Sequence, residues 1–247
     1  MNIRVYYHTA SIDDLALRDS NVVVIDVLRA TTTIVHAMAA GAREIIPVGS
    51  ADQAMRIAGS LFSTTSLICG ERGGYPIAGG KLGNSPTEYT PEIVEGKSLI
   101  LMTTNGAPTL VKAKHSRHCF IAAFTNISAV ALAIKALPHI HEQGLAILCS
   151  GREGDFSLED ALCAGLLIER LAAIGLEINL SDTVRVALSL WKEYQGDLTG
   201  AMKASDHGKY LISIGYEKDI DVCAAIDTIP IVPILEQTRI TKKIVLD

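Results

Sequence analysis

Continuous apolar runs, rather than alternating ones, set the pattern of this chain. Each run stops at a polar segment that leads into a helical stretch. Val22-Val23-Val24-Ile25, closed by Asp26, reads as a strand that is apolar on both faces, as buried parallel sheets require. Val27 to Thr33 follows as a connection, then Ile34 to Ala40 as an Ala-rich helix stopped by Gly41. Glu44 to Val48 is a second strand, and Ser50-Ala51-Asp52-Gln53 opens a second helix. This β-loop-α-β order is the unit of a parallel sheet.

The unit recurs. Ser98 to Met102 predicts a strand, Thr103-Thr104-Asn105-Gly106 a polar loop, Ala107 to Lys114 a helix and Cys119 to Ala123 a strand. Leu145 to Cys149 runs into Ser150-Gly151-Arg152-Glu153-Gly154-Asp155, and a helix from Ser157 to about Ala173 follows, with Ser157 and Asp160 as a capping-box variant. From Asp182 the chain is more helical, with Val184, Ala187, Leu188 and Trp191 at helical spacing and Trp191 expected as a core or interface anchor. Pro230 and Pro233 in the tail Ile229 to Leu235 suit an edge or terminal strand rather than a central one. No low-complexity linker interrupts the pattern, so a single α/β domain over residues 1–247 is expected.

Composition narrows the classes of partner. Among 247 residues, 27 Asp and Glu outnumber 22 Lys and Arg, and no Lys/Arg-rich block offsets the balance, which argues against nucleic-acid binding. An anionic substrate must then be attracted by a few local cations or a metal, against the global field. Hydrophobic residues at 49% and charged ones at 20% exclude global disorder. The five cysteines follow no CxxC or CxxH spacing and sit in or at the end of apolar runs, the expectation for buried reduced thiols in a cytoplasmic protein. The first residues lack the apolar core of a signal peptide, and no run reaches the roughly 18 apolar residues of a membrane helix.

In open α/β sheets ligands bind outside the carboxyl ends of the strands. Four segments begin where an apolar run stops: Asp26 to Thr33, Gly70-Glu71-Arg72-Gly73-Gly74, Thr103 to Gly106, and Ser150 to Asp155. Their arginines suit planar bidentate binding of phosphate, carboxylate or sulfonate. Threonine hydroxyls and backbone N–H groups at a helix start add donors. Carboxylates beside an anion need a cation between them, so Asp26, Glu71, Glu153 and Asp155 together point to Mg²⁺, which takes oxygen ligands and bridges to phosphates. Each piece also has a plain structural reading. Asp26 with Arg29 makes an ordinary ion pair, Thr31-Thr32-Thr33 a helix start, Asn105-Gly106 a turn, and Glu159 and Asp160 complements to a helix dipole.

Familiar mechanisms are excluded by spacing. A P-loop fails because Tyr75 stands where its first glycine belongs and no Ser or Thr follows Lys81. The DxDx[TV] of aspartyl-phosphate phosphatases fails at Leu28, and neither GxSxG nor HExxH occurs. The CxxxxxR of cysteine phosphatases fails after Cys149, because Arg152 comes too soon.

The blocks Asp26 to Thr33, Gly70 to Gly74, Gly83-Asn84-Ser85-Pro86, Thr103 to Gly106 and Gly151 to Asp155 resemble, in order, the signature blocks of 2-phosphosulfolactate phosphatases. The resemblance spans roughly residues 20 to 235, and Ala107 departs from the family's usual Thr. It implies a three-layer α/β/α fold about a largely parallel or mixed sheet. It also implies a Mg²⁺-dependent hydrolase that releases phosphate from 2-phosphosulfolactate, giving 3-sulfolactate, a step of coenzyme M synthesis. On this reading Asp26, Glu71 and Asp155 hold Mg²⁺, Glu153 is a base or an outer partner of the metal site, and His207 is a general acid. Arg29, Arg72, Arg152 and Asn105, with Thr31, Thr32 and Gly106, meet a small phosphorylated and sulfonated acid. A Mg²⁺-dependent lyase or isomerase, and a non-enzymatic binder of such an acid, are the alternatives. A homodimer is the base-rate assembly.

Overall fold

A computed structural model of the chain describes residues 1–9, 12, 14–60 and 65–243. Its strands are β1 (Ile3–Tyr6), β2 (Asn21–Ile25), β3 (Glu44–Pro47), β4 (Ser66–Arg72), β5 (Tyr75–Pro76), β6 (Ser98–Met102), β7 (His118–Ala122), β8 (Leu145–Cys149), β9 (Val232–Glu236) and β10 (Arg239–Lys243). The helices are α1 (Ala30–Ala39), α2 (Ala51–Ser60), α3 (Pro91–Val94), α4 (Gly106–Ala113), α5 (Ile127–Lys135), α6 (Ile140–Gln143), α7 (Leu158–Ala173), α8 (Asp182–Tyr194), α9 (Leu198–Ala204), α10 (Asp206–Ser213) and α11 (Glu217–Cys223).

Continuous apolar runs are explained by burial of both strand faces. In β2, Val22 and Val24 pack with Ile34 and Met38 of α1 and Leu110 of α4. Val23 and Ile25 point the other way, into a cluster with Ile127 and Ile134 of α5 and Leu162 and Leu166 of α7. Burial of each such side chain stabilises the fold by roughly 1.5–3 kcal/mol, so a polar face would be costly here. The result is three layers, α/β/α. Helices α8 to α11 extend the second cluster through Val184, Met202, Leu211 and Ile220. Trp191 of α8 is buried there, donating from Nε1 to Glu169 of α7 at 3.0 Å.

The ten strands form one mixed sheet in the order β1-β8-β2-β7-β9-β10-β3-β6-β4-β5. Two parallel blocks, β1-β8-β2-β7 and β3-β6-β4, are joined by the antiparallel hairpin β9–β10. The proline-bearing tail strand therefore lies inside the sheet order rather than at its edge, contrary to the expectation from Pro233. The physical reason is a sparse ladder. β9 meets β7 at the single register pair Phe120↔Ile234, and β10 meets β3 only at Ile240↔Ile45. A missing N–H is tolerated where a neighbour calls on so few donors.

Adjacent strands stand about 4.8 Å apart, so a flat sheet would keep β2 and β6, five places apart, well separated. They are not separated: Asp26 just past β2 and Gly106 just past β6 touch, a Cβ built on Gly106 lying 2.7 Å from Asp26 Oδ2. The sheet wraps around α1 and α4 and brings the carboxyl ends of both blocks together. All five cysteines are buried and free. No described helix is long and apolar enough to cross a membrane.

Candidate active site

The carboxyl ends of β2, β4, β6 and β8 converge on a cleft of about 430 Å³, counted to its open mouth. Asp26, Arg29, Glu71, Asn105, Arg152, Glu153 and His207 all line it. Asn84, Thr104 and Tyr210 complete its polar wall.

The β2 end is a closed knot of hydrogen bonds. Asp26 is 5% exposed, and its Oδ1 accepts from Ala30 N at 3.1 Å. Thr31 Oγ1 accepts from Asp26 N and donates to Asp26 O, while Thr32 Oγ1 donates to Val27 O at 2.8 Å. Thr33 Oγ1 donates to Asn84 O. The three hydroxyls thus close the turn from strand to helix, and neither Thr31 nor Thr32 lines the cleft. Arg29 is equally committed. Its Nη1 donates to Asp219 at 2.7 Å, its Nη2 donates to Gly74 O at 2.9 Å, and its guanidinium lies 4.0 Å from the Tyr216 ring centre. Asp219 also accepts from the Ser85 hydroxyl at 2.7 Å.

Glu71 is held by the loops around it. Its carboxylate accepts from Gly74 N, Thr104 N and the Thr104 hydroxyl at 2.6, 2.6 and 3.0 Å. A carboxylate has about four acceptor positions, so little of Glu71 remains uncommitted. Gly74, at φ +82, has a conformation that favours glycine, and a Cβ there would stand 2.6 Å from Ile214. Gly106 is fixed by crowding instead, since its added Cβ would meet Ala30 Cβ at 2.5 Å as well as the Asp26 carboxylate.

The β8 end is open by contrast. Arg152 lies over the Tyr210 ring at 4.9 Å, and no carboxylate of the described residues is paired with it. Its backbone pairs with that of Asp155, which is exposed and does not line the cleft. Glu153, at φ +53, donates its N–H to Asn105 Oδ1 at 3.0 Å. Arg72 is outside the cleft too, lining a separate apolar cavity with Met55, Ile77 and Met102.

Four residues beyond the sequence-derived set shape the site. Glu159, 1% exposed, meets His207 Nδ1 through Oε1 at 3.0 Å. Asp160 ties two loops together, Oδ1 accepting from Val27 N at 2.8 Å and Oδ2 from Gly151 N at 3.2 Å. Asn84 keeps a buried Oδ1 without a hydrogen-bond partner. Tyr210, one helical turn beyond His207, donates to Gly73 O at 2.8 Å. Their i, i+3 spacing puts His207 and Tyr210 on one face of α10.

Burial pushes the Asp26 carboxyl up to about 6, against the pull of His207 and the Ala30 N–H, with Glu71 and Glu159 adding to the rise. Burial likewise holds Asp160 well above the usual carboxylate range, and the neighbouring Asp26 and Glu159 charges reinforce it. Burial acts on Glu159 in the same sense, yet the hydrogen bond and charge of His207 outweigh it, and Glu159 lies low. Among the described residues no group of three or more His, Cys, Asp or Glu side chains is arranged to hold a metal ion. The carboxylates that face the cleft are Asp26, Glu71 and Glu153.

The chain is similar to proteins of one family. Residues 7–238 match the family model described as 2-phosphosulpholactate phosphatase. A protein of Caldanaerobacter subterraneus subsp. tengcongensis is 37% identical over 236 residues, 96% of each chain. One of Gloeothece citriformis is 36% identical over 96% of this chain and 98% of its own. A third, from Thermotoga petrophila, is 38% identical over 86% of this chain and 88% of its own. All three carry the name probable 2-phosphosulfolactate phosphatase.

Proposed function

Because this chain belongs to the 2-phosphosulpholactate phosphatase family, we propose that it hydrolyses 2-phosphosulfolactate to 3-sulfolactate and phosphate, with Mg²⁺ as cofactor. The observation that carries the reading is the meeting of Asp26, Glu71, Asn105, Arg152 and His207, from four strand ends and one late helix, in a single cleft. Of the two guanidiniums in the cleft, Arg152 is the one with no carboxylate partner among the described residues, and its planar fork takes an anionic group of the substrate. The Asn105 carboxamide, held by Glu153 N–H, fixes the loop beside it.

The charge balance of the cleft favours a metal. Three carboxylates face two guanidiniums, one of which is already neutralised by Asp219. A substrate with three anionic groups would be repelled unless a cation intervened. Mg²⁺ binds through one or two carboxylates plus substrate oxygens and waters. Asp26 would be the principal ligand, and Glu71 would add at most the one acceptor position that its three donors leave; Asp155, away from the cleft, does not fit. When bound, the ion would act as Lewis acid on the phosphoryl group. His207 then gives a proton to the departing alkoxide oxygen as the P–O bond breaks, and Glu153 takes the proton of the attacking water. We further propose a cytoplasmic homodimer, the former in keeping with five reduced thiols and the latter with base rates.

Phosphate release from 2-phosphosulfolactate, measured with and without EDTA, tests the reading. Stoichiometric phosphate that stops with EDTA is expected. Substrate consumed without phosphate would replace it with lyase or isomerase chemistry, and phosphate release indifferent to EDTA would remove the metal.

A further inference from the structure

We infer that Glu159 is the positioning residue for His207, selecting the tautomer and the ring orientation with which His207 faces the cleft. The inference rests on the phosphatase reading for its kinetic consequence, but not for its structural one. His207 stands in the first turn of α10, and its side chain is 16% exposed. Its ring lines two openings: the catalytic cleft, and a second cavity bounded by Phe156, Leu158, Ser205 and Asp206. An imidazole between two openings needs an anchor to stay turned toward one of them. The Glu159 carboxylate is that anchor, with Oε1 at 3.0 Å from Nδ1.

Glu159 is poorly explained as structural glue. It is 1% exposed, and its Oε2 is buried without a hydrogen-bond partner. A buried carboxylate retained for stability alone would be expected to satisfy both oxygens, because an unmet acceptor is costly. Asp160 beside it shows the alternative, with a backbone N–H on each oxygen. Bound to a carboxylate, Nδ1 carries hydrogen, so the nitrogen left for the cleft in the neutral ring is Nε2. Protonated in turn, Nε2 is the atom that can give its proton to a leaving oxygen, while Glu159 holds Nδ1–H throughout. Ser157, the N-cap of α7, accepts from Asp160 N and fixes the helix start on which Glu159 stands.

Two measurements test the assignment. The first needs no substrate: ¹⁵N–¹H correlation spectra of the ring nitrogens, with the His207 signals identified by their loss in His207→Asn. The Nδ1–H tautomer is expected for neutral His207 in the unmodified protein and a mixture in Glu159→Gln; an Nε2–H tautomer in the unmodified protein overturns the inference. The second is a double-mutant cycle on phosphate release. Glu159→Gln should lower kcat by about 10–100-fold with little change in KM, as outer-partner substitutions do. In the His207→Asn background the same change should cost nothing further. An equal loss in both backgrounds overturns the inference. If neither protein nor variant releases phosphate, the phosphatase reading fails while the tautomer result still stands or falls by itself.

Discussion

The loops after β2 and β8 leave neighbouring parallel strands and reach the same cleft, yet they are built in opposite ways. The β2 loop is buried throughout; Arg29, Thr31, Thr32 and Thr33 spend their polar groups on partners within the protein, and Asp26 gives them one carboxylate oxygen. The β8 loop is exposed from Glu153 to Phe156, takes positive φ at Gly151, Glu153 and Gly154, and leaves Arg152 with only an aromatic face beneath it. Two arginines at equivalent strand ends therefore have different work. Arg29 fastens α11 and the Gly74 turn to the sheet, whereas Arg152 is presented to what enters. An arginine at a strand end is an anion site only when no carboxylate has claimed it.

Arg29→Ala should break the comparison most severely. It strands Asp219, a carboxylate 4% exposed, and such a loss typically costs about 3–5 kcal/mol. At this chain length that lowers Tm by roughly 10 °C, measurable by calorimetry; an unchanged Tm would show that Arg29 is not a fastener. Asp26→Asn comes next and depends on pH. The folded protein holds a proton on Asp26 up to about pH 6, above the ordinary carboxylate value, so its ionisation destabilises the fold. In EDTA at pH 7–8 the Asn variant should be more stable by up to about 3 kcal/mol, the gain fading as pH falls from about 6 towards about 4. A gain that persists at low pH would contradict the assignment. Arg152→Ala should leave Tm nearly unchanged but raise KM about 10–100-fold, with Asp155→Ala as a near-neutral control.

The strand ends were legible because each apolar run stops abruptly at a polar residue, as Ile25 does at Asp26 and Cys149 at Ser150. That was enough to nominate six of the residues that line the cleft, Asp26, Arg29, Glu71, Asn105, Arg152 and Glu153. Their partners were not legible. Asp219 lies 190 positions from Arg29, and Glu159 reads as a helix-dipole complement until His207, 48 positions away, is folded against it. Thr31 and Thr32 taken alone read as a helix start more than as an anion site, though the same hydroxyls serve both; the backbone oxygens that take them are set by the turn. The place of β9 was hidden for a related reason. Proline reports a missing donor, but whether a neighbour needs that donor is a property of the neighbour's register.

The hairpin between the two parallel blocks also bears on timing. Asp26 and Arg152 come from one block, Glu71, Thr104 and Asn105 from the other, and the hairpin that sutures them is residues Val232 to Lys243. On a ribosome, both halves of the cleft emerge long before the segment that joins their sheets. A nascent chain carries every nominated catalytic side chain and still lacks the seam that holds them in one curved sheet, so competence for chemistry waits until Val232 to Lys243 have been made and folded.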